Sequence, residues 1–312
     1  MDRGKEVQRS LASRAGSSLL ASVNILFGGV FHAAVLFLVA AGLQIVFGVQ
    51  KIVNLACGVF YAIGAYFGIT ALSWAFKLHL PVFTYVPILI GSGLLLALVL
   101  GPLIERLLRL IYHRDEHFQL LLTFALVLMF EDVIRIFWGA SPRQSENIYQ
   151  VFGQLNLTPT MAIPTYNFIV IGVAIALSLA VGWFLQSTRM GKIIRATAEN
   201  APMCEALCID VSKVYMAVFT LGVALGTTGG ALVVPATAAS LDMGVELIVE
   251  AFAVVVIGGL GSMPGAMVGA LVVGLVRAAA ISLYPEFEML AIYVMVIAVL
   301  IFRPRGLMGK AA

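Results

Sequence analysis

Apolar residues run along this chain in long, nearly unbroken stretches, separated by short polar or charged intervals. Hydropathy delimits nine of them, at 25–47, 53–76, 86–104, 118–138, 168–185, 214–234, 247–257, 264–283 and 287–302. Most are close to the roughly 20 residues that a helix needs to cross a bilayer. None alternates polar with apolar positions, so a transmembrane barrel is excluded. The pattern predicts an all-α polytopic membrane protein with eight to nine embedded helices, some broken or re-entrant. The run 247–257 is short, and 53–76 is interrupted by Asn54, Gly58, Gly64 and Gly68. Such segments in transporters mark discontinuous helices beside a pathway.

The polar intervals give the orientation. Arg3, Lys5, Arg9 and Arg14 precede the first run, and Arg106, Arg109 and Arg114 follow the third. Arg189, Lys192, Arg195 and Lys213 flank the interval before the sixth run, and Arg303, Arg305 and Lys310 follow the last. The positive-inside rule places all four clusters in the cytoplasm. The expected domains are a cytoplasmic segment 1–24, a transmembrane domain 25–303 containing a cytoplasmic loop 188–213, and a cytoplasmic tail 304–312. From Arg114 onward the crossings alternate as this requires, with the polar interval 139–167 outside. Before Arg114 three full crossings cannot begin and end on one side. Either 53–76 is re-entrant or broken, or the N-terminus lies outside; the glycines and Asn54 favour the first.

Composition agrees. The chain is 61% hydrophobic and 11% charged, against roughly 45–50% and about 25% in soluble domains. The first run is too long for a signal peptide and no cleavage site follows it. Cys57, Cys204 and Cys208 lack the neighbours of a zinc site and read as reduced thiols. No metal, cofactor or nucleic-acid partner is expected. Gly222, Gly226 and Gly230 recur every four residues, as do Gly265 and Gly269. That spacing lets helix backbones approach, within one subunit or across a dimer.

The interval 187–214, "STRMGKIIRATAENAPMCEALCIDVSKV", is several times longer than an ordinary connection. Ile193, Ile194 and Ala198 share one helical face, while Lys192, Arg195 and Glu199 point elsewhere. Asn200 is a candidate N-cap, with Pro202 in the following first turn. Two short amphipathic helices joined by a tight bend are predicted. Their apolar side must be buried on the membrane, on the bundle or on a partner protein.

This interval carries a resemblance. Arg189, Gly191, Arg195, Ala198, Glu199 and Asn200, then Glu205-Ala206-Leu207 and "CIDVSKV" with Cys208 and Ile209, resemble the coupling loop of ATP-binding-cassette (ABC) importer permeases. The nearest family is the branched-chain (hydrophobic) amino acid permeases of the Leu/Ile/Val type. "GLQIVFGVQKIVNLACGVFYAIGAY" at 42–66, "VVVIGGLGSMPGAMVGALVVGL" at 254–275 and "FRPRGLMG" at 302–309 extend the likeness over nearly the whole chain. The Gly-rich signature contains Gly258, Gly259, Gly261, Gly265 and Gly269. The chain departs from many relatives at Cys57 (His there), Cys208 (Gly there) and Glu131-Asp132 (Gln-Asn there). The resemblance implies a multi-pass protein of the bacterial inner membrane. It implies a second homologous permease subunit, two cytoplasmic ATPase subunits and an extracytoplasmic binding protein as partners, with the bilayer around them. The substrate implied is a branched-chain or other hydrophobic amino acid, or an amide or urea. The chain has no "GxxxxGK[ST]" P-loop, so ATP hydrolysis falls to the partners and the chain is no enzyme.

Ionisable residues inside the runs are few. Glu131, Asp132 and Arg135 sit near one end of 118–138, at spacings that allow pairing; they either lie at the interface or line the outer mouth. Glu250 and Arg277 stand at similar distances either side of Met263, so a helical hairpin brings them to one depth. Each would cost at least ~2.5 kcal/mol alone in the membrane, so a structural pair is expected, with a pathway role secondary. A stand-alone secondary transporter would need an internal repeat and more membrane acids. An intramembrane enzyme would need a nucleophile with a base; His32, the histidine well inside a run, stands alone in the sequence.

Overall fold

The computed structural model describes residues 2–52, 54–112, 114, 116–145, 151–158, 161–303 and 306–308. Among them are eleven α-helices: α1 Asp2–Gln50, α2 Cys57–Lys77, α3 Tyr85–Arg109, α4 Glu116–Trp138, α5 Thr165–Ser187, α6 Arg189–Glu199, α7 Ala201–Ala206, α8 Val211–Val233, α9 Met243–Gly258, α10 Met263–Leu283 and α11 Glu288–Phe302. A short antiparallel hairpin, β1 Gln154–Thr158 with β2 Met161–Pro164, lies outside the bundle between α4 and α5. Among the described residues seven stretches are long and apolar enough to cross a membrane: Ile25–Gln50, Cys57–Lys77, Val82–Arg109, Thr165–Ser187, Val211–Val233, Met263–Leu283 and Pro285–Phe302. With α4 and the 16-residue α9, they account for the nine apolar runs.

Side-chain contacts fix which helix ends share a face. Gln50 at the end of α1 donates to the Tyr215 carbonyl, and Arg109 at the end of α3 donates to the Ser212 carbonyl. Both acceptors lie in the first five residues of α8, directly after α6 and α7. The face carrying α6 and α7 is therefore the lower face, and α1 and α3 end on it. At the opposite, upper face, Phe27 of α1 stacks edge-on with Phe168 near the start of α5. There Tyr166 donates to the Leu232 carbonyl at the end of α8, and Trp138 at the end of α4 donates to Thr70 of α2.

These contacts overturn the expected course of the first third. α1 runs from the upper to the lower face, α2 back up and α3 down again, so three crossings alternate without a re-entrant segment. Because α1 is one continuous 49-residue helix, residues 2–24 leave at the upper face. Residues 2–24 thus leave on the face opposite 188–213, whereas both were expected on one side. The expected break in the run 53–76 is present, but at Asn54 and not at the glycines. Gly58, Gly64 and Gly68 sit inside an uninterrupted helix, and the chain is non-helical at 51–52 and 54–56, just before it.

That break is deep. Gly226 of α8 faces the Cys57 carbonyl and Phe60, so α2 begins level with a point 15 residues into α8, about 22 Å above its start at 1.5 Å per residue. α9 likewise starts below the upper face, with Gly244 against Gly58. Asn54, buried at the break, accepts from the Ala56 amide at 3.0 Å and orders the entry into α2.

α8 is the centre of the bundle. It packs against α1, α2 and α3, and small residues set the spacing. Gly222 meets Gly42 of α1, and Gly230 meets the Tyr61 carbonyl of α2. A Cβ at Gly42 would stand 2.6 Å from the Gly222 carbonyl oxygen, so glycine is what permits this crossing. The four-residue glycine pattern therefore serves packing inside the chain. Thr227 also donates across to the Gly93 carbonyl of α3 at 2.8 Å.

Candidate functional site

The lower face carries a compact two-helix unit. Thr188 caps α6 by accepting from the Gly191 amide at 3.0 Å. Asn200 caps α7 by accepting from the Met203 amide at 3.0 Å, with Pro202 in the first turn. Asp210 caps α8 by accepting from the Lys213 amide at 3.2 Å. Hydrogen bonds from Lys213 hold the exposed Asp210 carboxyl below its ordinary range. Three successive caps explain why the chain turns sharply here instead of running on as one helix.

The unit has an inner and an outer side. Ile194, Thr197 and Cys204 are buried, with Ile193, Ala198 and Ile209 partly so. Gly191 is buried as well, pressed against the Phe184 and Leu185 carbonyls at the end of α5. Gly191, which the resemblance places in the coupling loop, thus seats α6 on the bundle. The outer side presents Arg189, Lys192, Arg195, Glu199, Glu205, Ala206 and Cys208, with Met203 at 58% and Leu207 at 65% exposure. Arg195 also donates to the Gln186 carbonyl. Cys208 has φ +59°, a left-handed conformation costly for a residue with a Cβ.

Directly behind the unit is a clamp that sequence reasoning missed. Glu105 of α3 is completely buried and receives Arg109 through both carboxylate oxygens, at 3.0 and 2.8 Å. Arg109 in turn donates to the Ser212 carbonyl at 3.1 Å. Tyr112 stacks edge-on with Tyr215, whose carbonyl accepts from Gln50. Two membrane helices thus hold the backbone of residues 212 and 215. The signal was present: Glu105 and Arg109 are spaced i,i+4 at the end of an apolar run.

In the upper half of the bundle the structure brings Glu250 and Arg277 together, Nη1 to Oε1 at 3.0 Å, with Glu250 only 1% exposed. The pair belongs to a larger group. His32 Nε2 lies 2.6 Å from Glu250 Oε2, and Arg277 Nε also bonds Glu288 at the start of α11. His32 is thus not alone. Glu131, Asp132 and Arg135 pair among themselves, at 3.5 and 3.3 Å, on an exposed face of α4. Among the described residues no group of His, Cys, Asp or Glu could hold a metal ion.

The Gly-rich turn between α9 and α10 is held from two sides. Gly259 and Gly261 have φ +97° and +80°, which only glycine adopts without strain. Buried Gln44 of α1 donates to the Gly259 carbonyl at 2.9 Å and accepts from the Gly261 amide at 2.6 Å. From the C-terminal side, the Leu307 and Met308 amides donate to the Ile257 and Gly258 carbonyls, at 2.7 and 3.1 Å. The C-terminal segment therefore caps α9, satisfying carbonyls that a helix end leaves free. Gly258 and Gly265 touch backbone to backbone, and Gly269 meets the Val254 carbonyl. Gln44 is the polar residue inside the first apolar run that could have signalled this contact.

The model of one family, described as "Branched-chain amino acid transport system / permease component", matches residues 25–300. The chain is 26% identical over 296 residues to the high-affinity branched-chain amino acid transport system permease protein LivH of Escherichia coli K12, covering 91% of this chain and 94% of the relative. It is 23% identical over 284 residues to the permease protein BraD of Pseudomonas aeruginosa, covering 88% and 91%. A probable branched-chain amino acid transport permease protein LivH of Methanocaldococcus jannaschii is 28% identical over 268 residues, covering 80% and 78%. No solved structure gives a significant match.

Proposed function

The chain belongs to the branched-chain amino acid transport permease family, and we propose from that membership that it is the membrane-spanning subunit of an ABC importer. Its cargo is a branched-chain or other hydrophobic amino acid handed over by an extracytoplasmic binding protein. It works with a second, homologous permease and two cytoplasmic ATPase subunits in a bacterial inner membrane. The lower face is then cytoplasmic.

The observation that carries this reading is the two-sided α6–α7 unit. Its inner side is seated on α5, and its outer side offers Met203, Ala206 and Leu207 among charges. That is what a helix pair docked in a groove of a soluble ATPase requires. Closure of the ATPases on ATP would push this unit. Gly191 leaves no slack between α6 and α5, and the clamp gives none between residues 210–215 and α3 or α1. The push would reach α8, the central helix, as a rigid displacement of the kind that rocks helical bundles. The non-helical residues 54–56 and the stretch before α9 are where the bundle can yield.

The test is a substitution on the outer side. Ala206→Arg adds a bulky charge to an exposed position, so the permease should reach the membrane at normal level. It should fail to retain the ATPases on co-purification, and uptake should be lost. Normal retention and uptake by this variant would refute the docking.

A further inference from the structure

A groove of ≈ 500 Å³ runs along the bundle surface between α3 and α8. Leu94, Leu98 and Pro102 form one wall, Ala217 and Ala224 belong to the other, and Lys213 stands at the lower end. Contacts between Gly101 and Thr220, and between Gly93 and Thr228, set the register of the two helices. From Lys213 to Ala224 the groove rises about 16 Å at 1.5 Å per residue. The hydrocarbon core is about 30 Å thick, so the groove has the height of one leaflet. A neighbouring transmembrane helix would need a seat across the full height.

The lower end is cationic. Leu94, Leu98, Pro102 and Arg106 follow at four-residue intervals on one side of α3. Arg106 is exposed, and the register brings it level with Tyr215, close to the height of Lys213. Lys213 is 80% exposed and gives one contact to Asp210 at 3.0 Å, so its other donors are free. We propose that this groove binds an anionic phospholipid of the leaflet on the α6–α7 side. One acyl chain lies along the apolar walls, and the phosphate sits between Arg106 and Lys213. Basic pockets between membrane helices are suited to such headgroups. The lipid would touch α8 in its first turn, beside the clamp, where membrane composition can influence the helix that α6 and α7 drive.

Native mass spectrometry of the purified permease, from nanodiscs of equal phosphatidylglycerol and phosphatidylcholine with matched chains, tests this. Phosphatidylglycerol should be retained preferentially. Arg106→Ala and Lys213→Ala should each lower that preference roughly five-fold, as expected for about 1 kcal/mol per basic residue at the membrane surface. Both side chains are exposed, so the variants should melt as the parent does in phosphatidylcholine alone. Ala217→Phe, which fills the groove, should reduce retention of both lipids. Equal retention by the parent, or a preference that survives the double Arg106→Ala, Lys213→Ala change, would overturn the proposal. So would disulfide capture of a second permease by Leu98→Cys in native membranes, since protein would then cover the groove.

Discussion

Arg277 meets two carboxylates, Glu250 and Glu288, whereas Glu250 meets Arg277 and His32. That asymmetry changes what a mutation should do. Glu250→Gln leaves Arg277 with Glu288 as partner, so its cost should be modest. Arg277→Gln leaves Glu288 without a partner and Glu250 with His32 alone, where loss of one partner of a buried pair costs on the order of 3–5 kcal/mol. Thermal unfolding in detergent should show the larger drop for Arg277→Gln. The double change should recover only part of it, because Glu288 remains unpaired. Equal drops, or full recovery, would mean that Glu288 adds nothing. The pair itself was legible in the sequence, since Glu250 and Arg277 lie at matching distances from the turn. His32 and Glu288 were not: one sits on a helix distant in sequence and the other follows a connection whose path the sequence does not give.

Between α3 and α8, the Glu105–Arg109 clamp holds the start of the helix that follows the exposed helix pair. Glu105→Gln removes the charge that holds Arg109, weakening a charge-assisted contact worth about 1.5–3 kcal/mol. In the reconstituted complex ATP hydrolysis should continue, while substrate moved per ATP falls several-fold, with Glu105→Asp in between. A merely structural role would lower both in proportion, and an unchanged ratio would remove the clamp from the coupling path. At this scale periodicity and caps were readable: α6 and α7 lie where Asn200, Pro202 and the Ile194 face predict them. What sequence could not say is which side of α6 faces inward. Gly191 matched a docking motif, yet its missing side chain serves the Phe184 and Leu185 carbonyls.

For the whole molecule, the all-α membrane class followed from hydropathy, with seven described stretches long and apolar enough to span where eight to nine embedded helices were expected, but the direction of the first did not follow. Basic residues before α1 argued for one side, and the packing of Phe27 on Phe168 and of Gln50 on Tyr215 gives the other. A tag at the N-terminus should therefore be cleaved by protease added to intact spheroplasts, whereas Leu110→Cys, in a chain without its three native cysteines, should label only after lysis. Protection of the tag would reverse the assignment of α1.

The importer reading stands or falls most directly on amino acid uptake into proteoliposomes. These would contain this permease, its homologous partner and the ATPases, with the binding protein outside. The account predicts leucine accumulation that requires both ATP on the ATPase side and the binding protein, and that ignores proton and sodium gradients. Accumulation by this chain alone, driven by such a gradient without ATP, would contradict it.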